Sequence, residues 1–164
     1  MFRFLRSLVS HDLLIELSQE KITIQRFRSG HRLEYSPWLA LEMENDKPTI
    51  KAIGDEAKRL SGPTIQRVNP FSHPRSFVGN FQVAEKLLQH GIREFHSSRL
   101  LRPAPRVVIH QLEKAEGGLT DIEIRVLREL ALGGGAREVI VHTGKRIRPQ
   151  LERFEDLKSR TPSH

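Results

Sequence analysis

The chain has 164 residues, of which 37% are hydrophobic and 29% are charged, and none is cysteine. This length and composition fit one folded domain and argue against a disordered chain. The lack of cysteine excludes disulfide bonds and thiolate metal sites, and no apolar run reaches the roughly 20 residues of a membrane-spanning helix. The formal net charge of +7 favours an anionic partner, either nucleic acid or an acidic lipid surface. An aromatic content of 6% argues against a base-stacking surface for nucleic acid.

The first ten residues have the pattern of a short amphipathic helix. Its apolar side carries Phe2, Phe4, Leu5, Leu8 and Val9, and its polar side carries Arg3 and Arg6. Apolar side chains next to cations favour an anionic bilayer surface, so the pattern predicts a weak and reversible membrane anchor over residues 1–10. The alternative is that this segment packs back on the domain or has no fixed structure.

The next part of the chain alternates in the manner of strands. Three runs, Leu13–Leu17, Ile22–Phe27 and Arg32–Tyr35, predict a meander joined by tight turns. The segment 38–76 follows as a small inserted subdomain. It has two short strands (Leu39–Met43 and Thr49–Ile53) around an Asn45–Asp46 turn, and then a helix from Asp55 to Leu60.

The remainder alternates between helix and strand. Asn80 is placed to cap a helix over Phe81–His96, and Thr120 with Glu123 forms a capping box before a helix to Leu132. Strands are predicted at Arg106–His110 and Arg137–Val141. We therefore expect an α/β fold with a five-stranded mixed sheet formed by 11–37 and 77–144, flanking helices, and a basic and acidic tail over 145–164.

Four stretches resemble the MreB family of bacterial actins, in the same order and at similar spacing. They are Ala52–Arg59 (AIGDEAKR), Phe81–His90 (FQVAEKLLQH), Arg102–Ile109 (RPAPRVVI) and Gly135–Val139 (GAREV). The opening MFRFLRSLVS also resembles the membrane-binding start of that family. The resemblance implies one ribonuclease-H-like half of the actin fold, with 38–76 as its lid-like subdomain. It also implies a peripheral cytoplasmic location at the inner face of the cell membrane.

The family's ATP-binding residues do not carry over. Its first phosphate loop reads Asp-Leu-Gly-Thr, and the matching positions here are Glu16, Leu17, Ser18 and Gln19. A phosphate loop needs glycine for close backbone approach, and Glu16 and Glu20 add negative charge where phosphate would lie. Thr143–Lys145 stands where the family has a Glu-Pro pair that orients the attacking water, and the chain stops about halfway through a family member's length. We expect no catalytic residue, no cofactor and no ATP hydrolysis.

The histidines and the glycine run can be explained without a metal site or a phosphate loop. His90 and His96 fall on different faces of one predicted helix, and His110 and His142 end neighbouring strands without a carboxylate at ligand spacing. We therefore expect no metal site. The run Gly133–Gly135 follows a helix and is typical of a helix stop rather than of a phosphate loop.

The tail carries Leu151, Phe154 and Leu157 at helical spacing. In the actin fold, helices from the far end of the chain complete the first half. We expect these three side chains to cover apolar surface beside the sheet. The alternative is a solvated tail of mixed charge.

These features predict a non-catalytic, MreB-like accessory or modulator of the shape-determining cytoskeleton at the inner membrane. We expect it to cap or co-assemble with MreB filaments, with Lys58 and Arg59 of the lid at the contact, and a homodimer is an alternative assembly. Two other functions stay open: an ATP-binding module completed by a separate second-half protein, and a basic nucleic-acid-binding protein.

Overall fold

The computed structural model describes residues 11–95 and 103–161. The predicted anchor, with Phe2, Arg3, Phe4, Leu5, Arg6, Leu8 and Val9, lies outside the described residues. Within the described ranges the elements are β1 (Asp12–Leu17), β2 (Ile22–Arg26), β3 (Arg32–Tyr35), β4 (Leu39–Glu44), β5 (Lys47–Ile53), α1 (Asp55–Arg59), β6 (Ile65–Val68), α2 (Phe81–Glu94), β7 (Arg106–Gln111), α3 (Asp121–Gly134), β8 (Glu138–His142) and α4 (Phe154–Arg160). Among the described residues, no helix is both long and apolar enough to cross a membrane.

The main sheet has five strands in the order β3-β2-β1-β7-β8. Tight turns join β1 to β2 and β2 to β3, so these pairs are antiparallel, whereas β1, β7 and β8 run parallel. The chain between β7 and β8 includes α3, the crossover that parallel neighbours require. The predicted five-stranded mixed sheet with flanking helices is confirmed.

Helices α2 and α3 cover the first face of the main sheet. Asn80 accepts a hydrogen bond from the Val83 N–H at the start of α2, and Thr120 and Glu123 form the predicted capping box of α3. Helix α3 ends at the glycine run, where Gly135 adopts a left-handed conformation with φ of 118°. The core of this face comprises Leu13, Ile15, Leu17, Ile22, Ile24, Val83, Leu87, Leu88, Ile92, Val107, Ile109, Leu127 and Leu130.

The tail covers the second face of the main sheet. Side chains alternate between the two faces along each strand. Leu14, Val108 and Ile140 therefore lie on this second face, whereas their neighbours in the strands lie on the first face. Phe27 and the tail residues Ile147, Phe154 and Leu157 pack on them. Phe154 and Leu157 are therefore buried, whereas Leu151 is 68% exposed and makes no part of this cover. The expectation for Leu151 is wrong because α4 begins only at Phe154.

The insertion between β3 and α2 forms a second, three-stranded sheet in the order β5-β4-β6. Asn45 and Asp46 both have positive φ, as a two-residue hairpin turn requires. The small core of this sheet comprises Ala40, Ala52 and Ala57, with Trp38, Leu60 and Ile65 packed around it.

Candidate functional site at the carboxyl edge of the main sheet

The carboxyl ends of β1, β7 and β8 lie at one edge of the main sheet because these strands are parallel. In open α/β sheets this edge is the usual place for a ligand. One row of side chains from neighbouring strands crosses the second face of the sheet at this edge. Glu16 pairs in register with Thr23 and His110, and His110 pairs with His142. The row places two histidines beside a buried carboxylate.

Hydrogen bonds hold the turn between β1 and β2, both within the turn and to distant segments of the chain. The Ser18 N–H donates to the Lys21 carbonyl at 3.0 Å, and the Lys21 N–H donates to the Ser18 hydroxyl at 3.0 Å. The Gln19 N–H donates to a carboxylate oxygen of Glu113 at 2.8 Å. The Gln19 carbonyl accepts from the side-chain amide of Asn69 at 2.9 Å. The turn is thus held both by the loop after β7 and by the segment that follows the small sheet.

Glu16 forms an ion pair with Arg146. Its side chain is 3% exposed, and its two carboxylate oxygens accept hydrogen bonds from the guanidinium at 2.9 and 3.0 Å. These hydrogen bonds raise the pKa of Arg146. A bidentate pair of this kind fixes geometry as well as charge. It ties the loop after β8 to the end of β1.

His110 and His142 contact each other beside this pair. Their ring centroids lie 4.7 Å apart in an edge-to-face arrangement, and His142 Nε2 lies 2.7 Å from the Lys145 carbonyl oxygen. Burial lowers the pKa of His110, and repulsion from His142 lowers it further. Both effects favour the neutral form of His110, and its buried Nδ1 has no hydrogen-bond partner among the described residues.

An open cavity of about 580 Å³ lies against this edge. Its walls include His110, His142 and Arg146, together with Thr143 and Gly144 from the loop after β8. The volume falls within the range of small-molecule sites. Among the described residues, no group of three or more histidine and carboxylate side chains is placed to hold a metal ion.

The contacts at this edge join residues that lie far apart in the sequence. Glu16, Leu17, Ser18 and Gln19 lie together at the turn, as consecutive residues must. Their partners Glu113, Asn69 and Arg146 come from three distant segments, and no local pattern indicates these contacts. In the sequence, Arg146 is one cation of the basic and acidic tail, and nothing local marks it as a partner of Glu16.

Lys58 and Arg59 lie on α1 of the small sheet, and both are exposed. The Lys58 ammonium is 3.7 Å from a carboxylate oxygen of Glu20 in the β1–β2 turn. The Lys58 carbonyl also accepts a hydrogen bond from Arg67 of β6. Their predicted role at a partner contact stays a prediction.

The two sheets, the order of the main sheet and the inserted position of the small one define one half of an actin-like protein. The MreB5 protein of Spiroplasma citri bound to ADP superposes with a TM-score of 0.64 at 16% identity, over 81% of this chain and 38% of that one. A non-polymerising MamK mutant bound to AMPPNP gives a TM-score of 0.62 at 15% identity, over 80% of this chain and 40% of that one. These two likenesses establish the fold.

Sequence comparison gives the family. Residues 11–146 match the family model of the MreB/Mbl protein, so the chain belongs to the MreB/Mbl family of shape-determining cytoskeletal proteins. It is 34% identical to the cell shape-determining protein MreB of Haemophilus influenzae and 32% identical to that of Escherichia coli, over 85% and 86% of its length. It spans 39% and 40% of those two relatives. It is also 40% identical to the uncharacterized Escherichia coli protein YjaA, over 58% of this chain and 74% of YjaA.

Proposed function

We propose that this chain is a non-catalytic member of the MreB family that acts as an accessory of the shape-determining cytoskeleton at the inner face of the cell membrane. The proposal rests on the β1–β2 turn, whose hydrogen-bonding groups are already paired with other groups of the chain. Its Gln19 N–H is bonded to the Glu113 carboxylate, and the neighbouring Glu16 is locked to Arg146. The chain's own side chains thus occupy the groups that a phosphate would need.

Electrostatics support the same proposal. A phosphate at this turn would meet the carboxylates of Glu16 and Glu113 with no glycine to admit it closely. It would also have to displace Glu113 from the Gln19 N–H. At the end of β8, Thr143–Lys145 supplies no carboxylate to orient an attacking water. We infer that neither ATP nor its magnesium ion is held here.

The small sheet is the surface that we propose for filament contact. Lys58 and Arg59 are exposed on α1, and Arg67 nearby lies over the Trp38 ring at 6.0 Å. Arg59 and Lys58, the latter 3.7 Å from the Glu20 carboxylate, would favour a partner surface that carries negative charge. We propose that the chain caps or co-assembles with MreB filaments through the small sheet, and a homodimer through the same surface is the alternative.

The amphipathic pattern of residues 2–9 supplies the membrane part of the proposal. Its apolar side chains and Arg3 and Arg6 favour weak binding to anionic lipid. Association with a filament would strengthen that binding through avidity.

Nucleotide assays on the full chain test the non-catalytic proposal. Equilibrium binding and turnover of magnesium-ATP are measured beside full-length MreB of Haemophilus influenzae. We expect neither binding at millimolar ATP nor phosphate release from this chain. Saturable binding without turnover would favour an ATP-binding module completed by another protein, and turnover would overturn the proposal outright.

A further inference from the structure

We infer that the amino-terminal edge of the main sheet, where the tail crosses the β2–β3 turn, is a second contact surface for an anionic bilayer. This inference rests on the proposed membrane association and adds specific residues to it. The surface comprises Arg28, Arg148 and Leu151, and we call it the tail-edge patch.

The tail is fixed at this edge by hydrogen bonds. The Arg28 N–H donates to the Pro149 carbonyl at 2.7 Å, and the Gln150 side-chain amide donates to the Ser29 carbonyl at 2.6 Å. Arg28 itself has a φ of 55°, within a tight turn. The patch is therefore built from two segments, 26–29 and 148–151, that hold each other in place.

Leu151 provides the apolar part of the tail-edge patch. It is 68% exposed although large and apolar, and its N–H donates to the Arg148 carbonyl at 3.0 Å. Arg148 is held in turn because its own N–H donates to the Glu152 carboxylate at 2.8 Å. A leucine kept in solvent by a hydrogen-bonded turn can enter the boundary between headgroups and acyl chains at little ordering cost.

The carboxylates near the tail-edge patch pair with arginines outside it, so the arginines of the patch can bind an anionic surface. The nearby carboxylates of Asp12 and Glu155 both bind Arg106, and Glu152 binds Arg160. Arg28 and Arg148 are exposed and form no ion pair with another described residue. Anionic headgroups attract such cations, and each contributes separately to binding.

The chain outside the described residues joins the molecule at this same edge. Residue 11 starts the described chain, and His11 Nε2 lies 3.0 Å from a guanidinium nitrogen of Arg26. The Phe27 N–H donates to the Asp12 carbonyl at 3.0 Å. His11, to which residues 1–10 connect in the sequence, therefore lies at the same edge as the tail-edge patch. The cavity at the opposite, carboxyl edge would face away from a bilayer bound there.

An exposed leucine between arginines favours a bilayer over nucleic acid, because a phosphate backbone offers no apolar layer for it.

The test is sedimentation of the full chain with vesicles of phosphatidylglycerol and phosphatidylethanolamine. We expect Arg148→Gln to weaken binding about fivefold and Leu151→Ser about tenfold. The matched controls are Lys86→Gln and Ile122→Ser, since Ile122 is 76% exposed but lies between Asp121 and Glu123. These controls should bind like the parent chain.

A second variant separates this inference from the predicted anchor. A chain lacking residues 2–9 should keep residual vesicle binding, and Leu151→Ser in that background should remove it. If deletion of 2–9 abolishes binding and the patch variants bind like the parent, the tail-edge patch is wrong and the anchor stands. If the parent binds DNA in preference to the vesicles, or binds no vesicles at all, the inference is overturned together with the proposed membrane association. Filament binding, measured without lipid, is unaffected by any of these results.

Discussion

Glu16 and Arg146 lie 130 positions apart in the chain, yet a bidentate ion pair joins them at the carboxyl edge of the main sheet. Glu16 is one of the positions that we predict from the sequence to correspond to the family's first phosphate loop, and Arg146 is the last residue that the family model matches. The contact thus joins the last matched residue to a strand near the start of the matched region. It binds the start of the tail to the end of β1, next to the β1–β2 turn.

The ion pair should contribute to stability because Glu16 is buried. Arg146→Ala leaves that carboxylate without its guanidinium, and we expect the free energy of unfolding to fall by about 1–3 kcal/mol. Urea denaturation measures this loss. Arg148→Ala is the matched control, since its exposed side chain should change stability by no more than about 0.5 kcal/mol. Equal effects of the two substitutions would contradict a structural role for the pair.

The tail helix should be essential to the second face of the sheet. Phe154 is fully buried against strand residues, and Arg106 lies over its ring at 4.3 Å. We expect Phe154→Ala to cost about 3–5 kcal/mol through the cavity it leaves. Leu151→Ala should be nearly neutral because that side chain is exposed. Thermal unfolding compares the two, and an unchanged melting temperature for Phe154→Ala would mean that the tail does not cover this face.

Helix α2 approaches the main sheet closely at Gly91. A Cβ there would clash with the Tyr35 hydroxyl, which donates to the Leu87 carbonyl at 2.7 Å, and with the Ile24 side chain. We expect Gly91→Ala to destabilise the fold by about 1–3 kcal/mol through overpacking. At Gly30 an added Cβ meets nothing within 4 Å, so Gly30→Ala is the control. Denaturation midpoints that shift alike for both variants would refute the close approach.

Stability should decrease with acidity because of His110. Its folded-state pKa is lowered by burial, by His142 and by Arg146, while Glu16 and the Gly144 carbonyl act in the opposite direction. The unfolded chain therefore binds the proton first, and the free energy of unfolding falls as pH drops from about 6.5 toward the lower folded-state pKa. Urea denaturation measures the free energy of unfolding at each pH in this interval. A plot of that free energy against pH should be less steep for His110→Gln than for the parent chain. The same slope in both would assign the effect to other histidines.

The sequence predicted most of the fold because the signals are local. Asn80, Thr120 with Glu123, and the glycine run mark helix ends, and the predicted limits of most elements shift by one or two residues. Strand β6 was missed because Gln66 and Arg67 are exposed and the strand exists through its pairing with β4. The predicted end of α2 at His96 was too late, since the helix ends at Glu94 and Phe95 caps it.

The site was less predictable than the fold. The departure from the phosphate-loop pattern that we predict at Glu16–Gln19 needs only the sequence, because it concerns consecutive residues, and it stays a prediction. The partners that close the turn cannot be read from the sequence, because Glu113 lies 94 positions from Gln19 and Asn69 lies 50 away. Only the packed sheets bring them together. For the same reason, the tail-edge patch depends on the Arg28–Pro149 contact, which no sequence pattern indicates.

Co-sedimentation with full-length MreB filaments tests the accessory role most directly. The full chain is mixed with polymerised MreB of Escherichia coli without lipid, alongside a Lys58→Glu, Arg59→Glu variant and a Lys86→Glu control. We predict that the parent and the control pellet with filaments and change their length, and that the double variant stays in the supernatant. A parent chain that neither pellets with filaments nor alters their length would contradict the account.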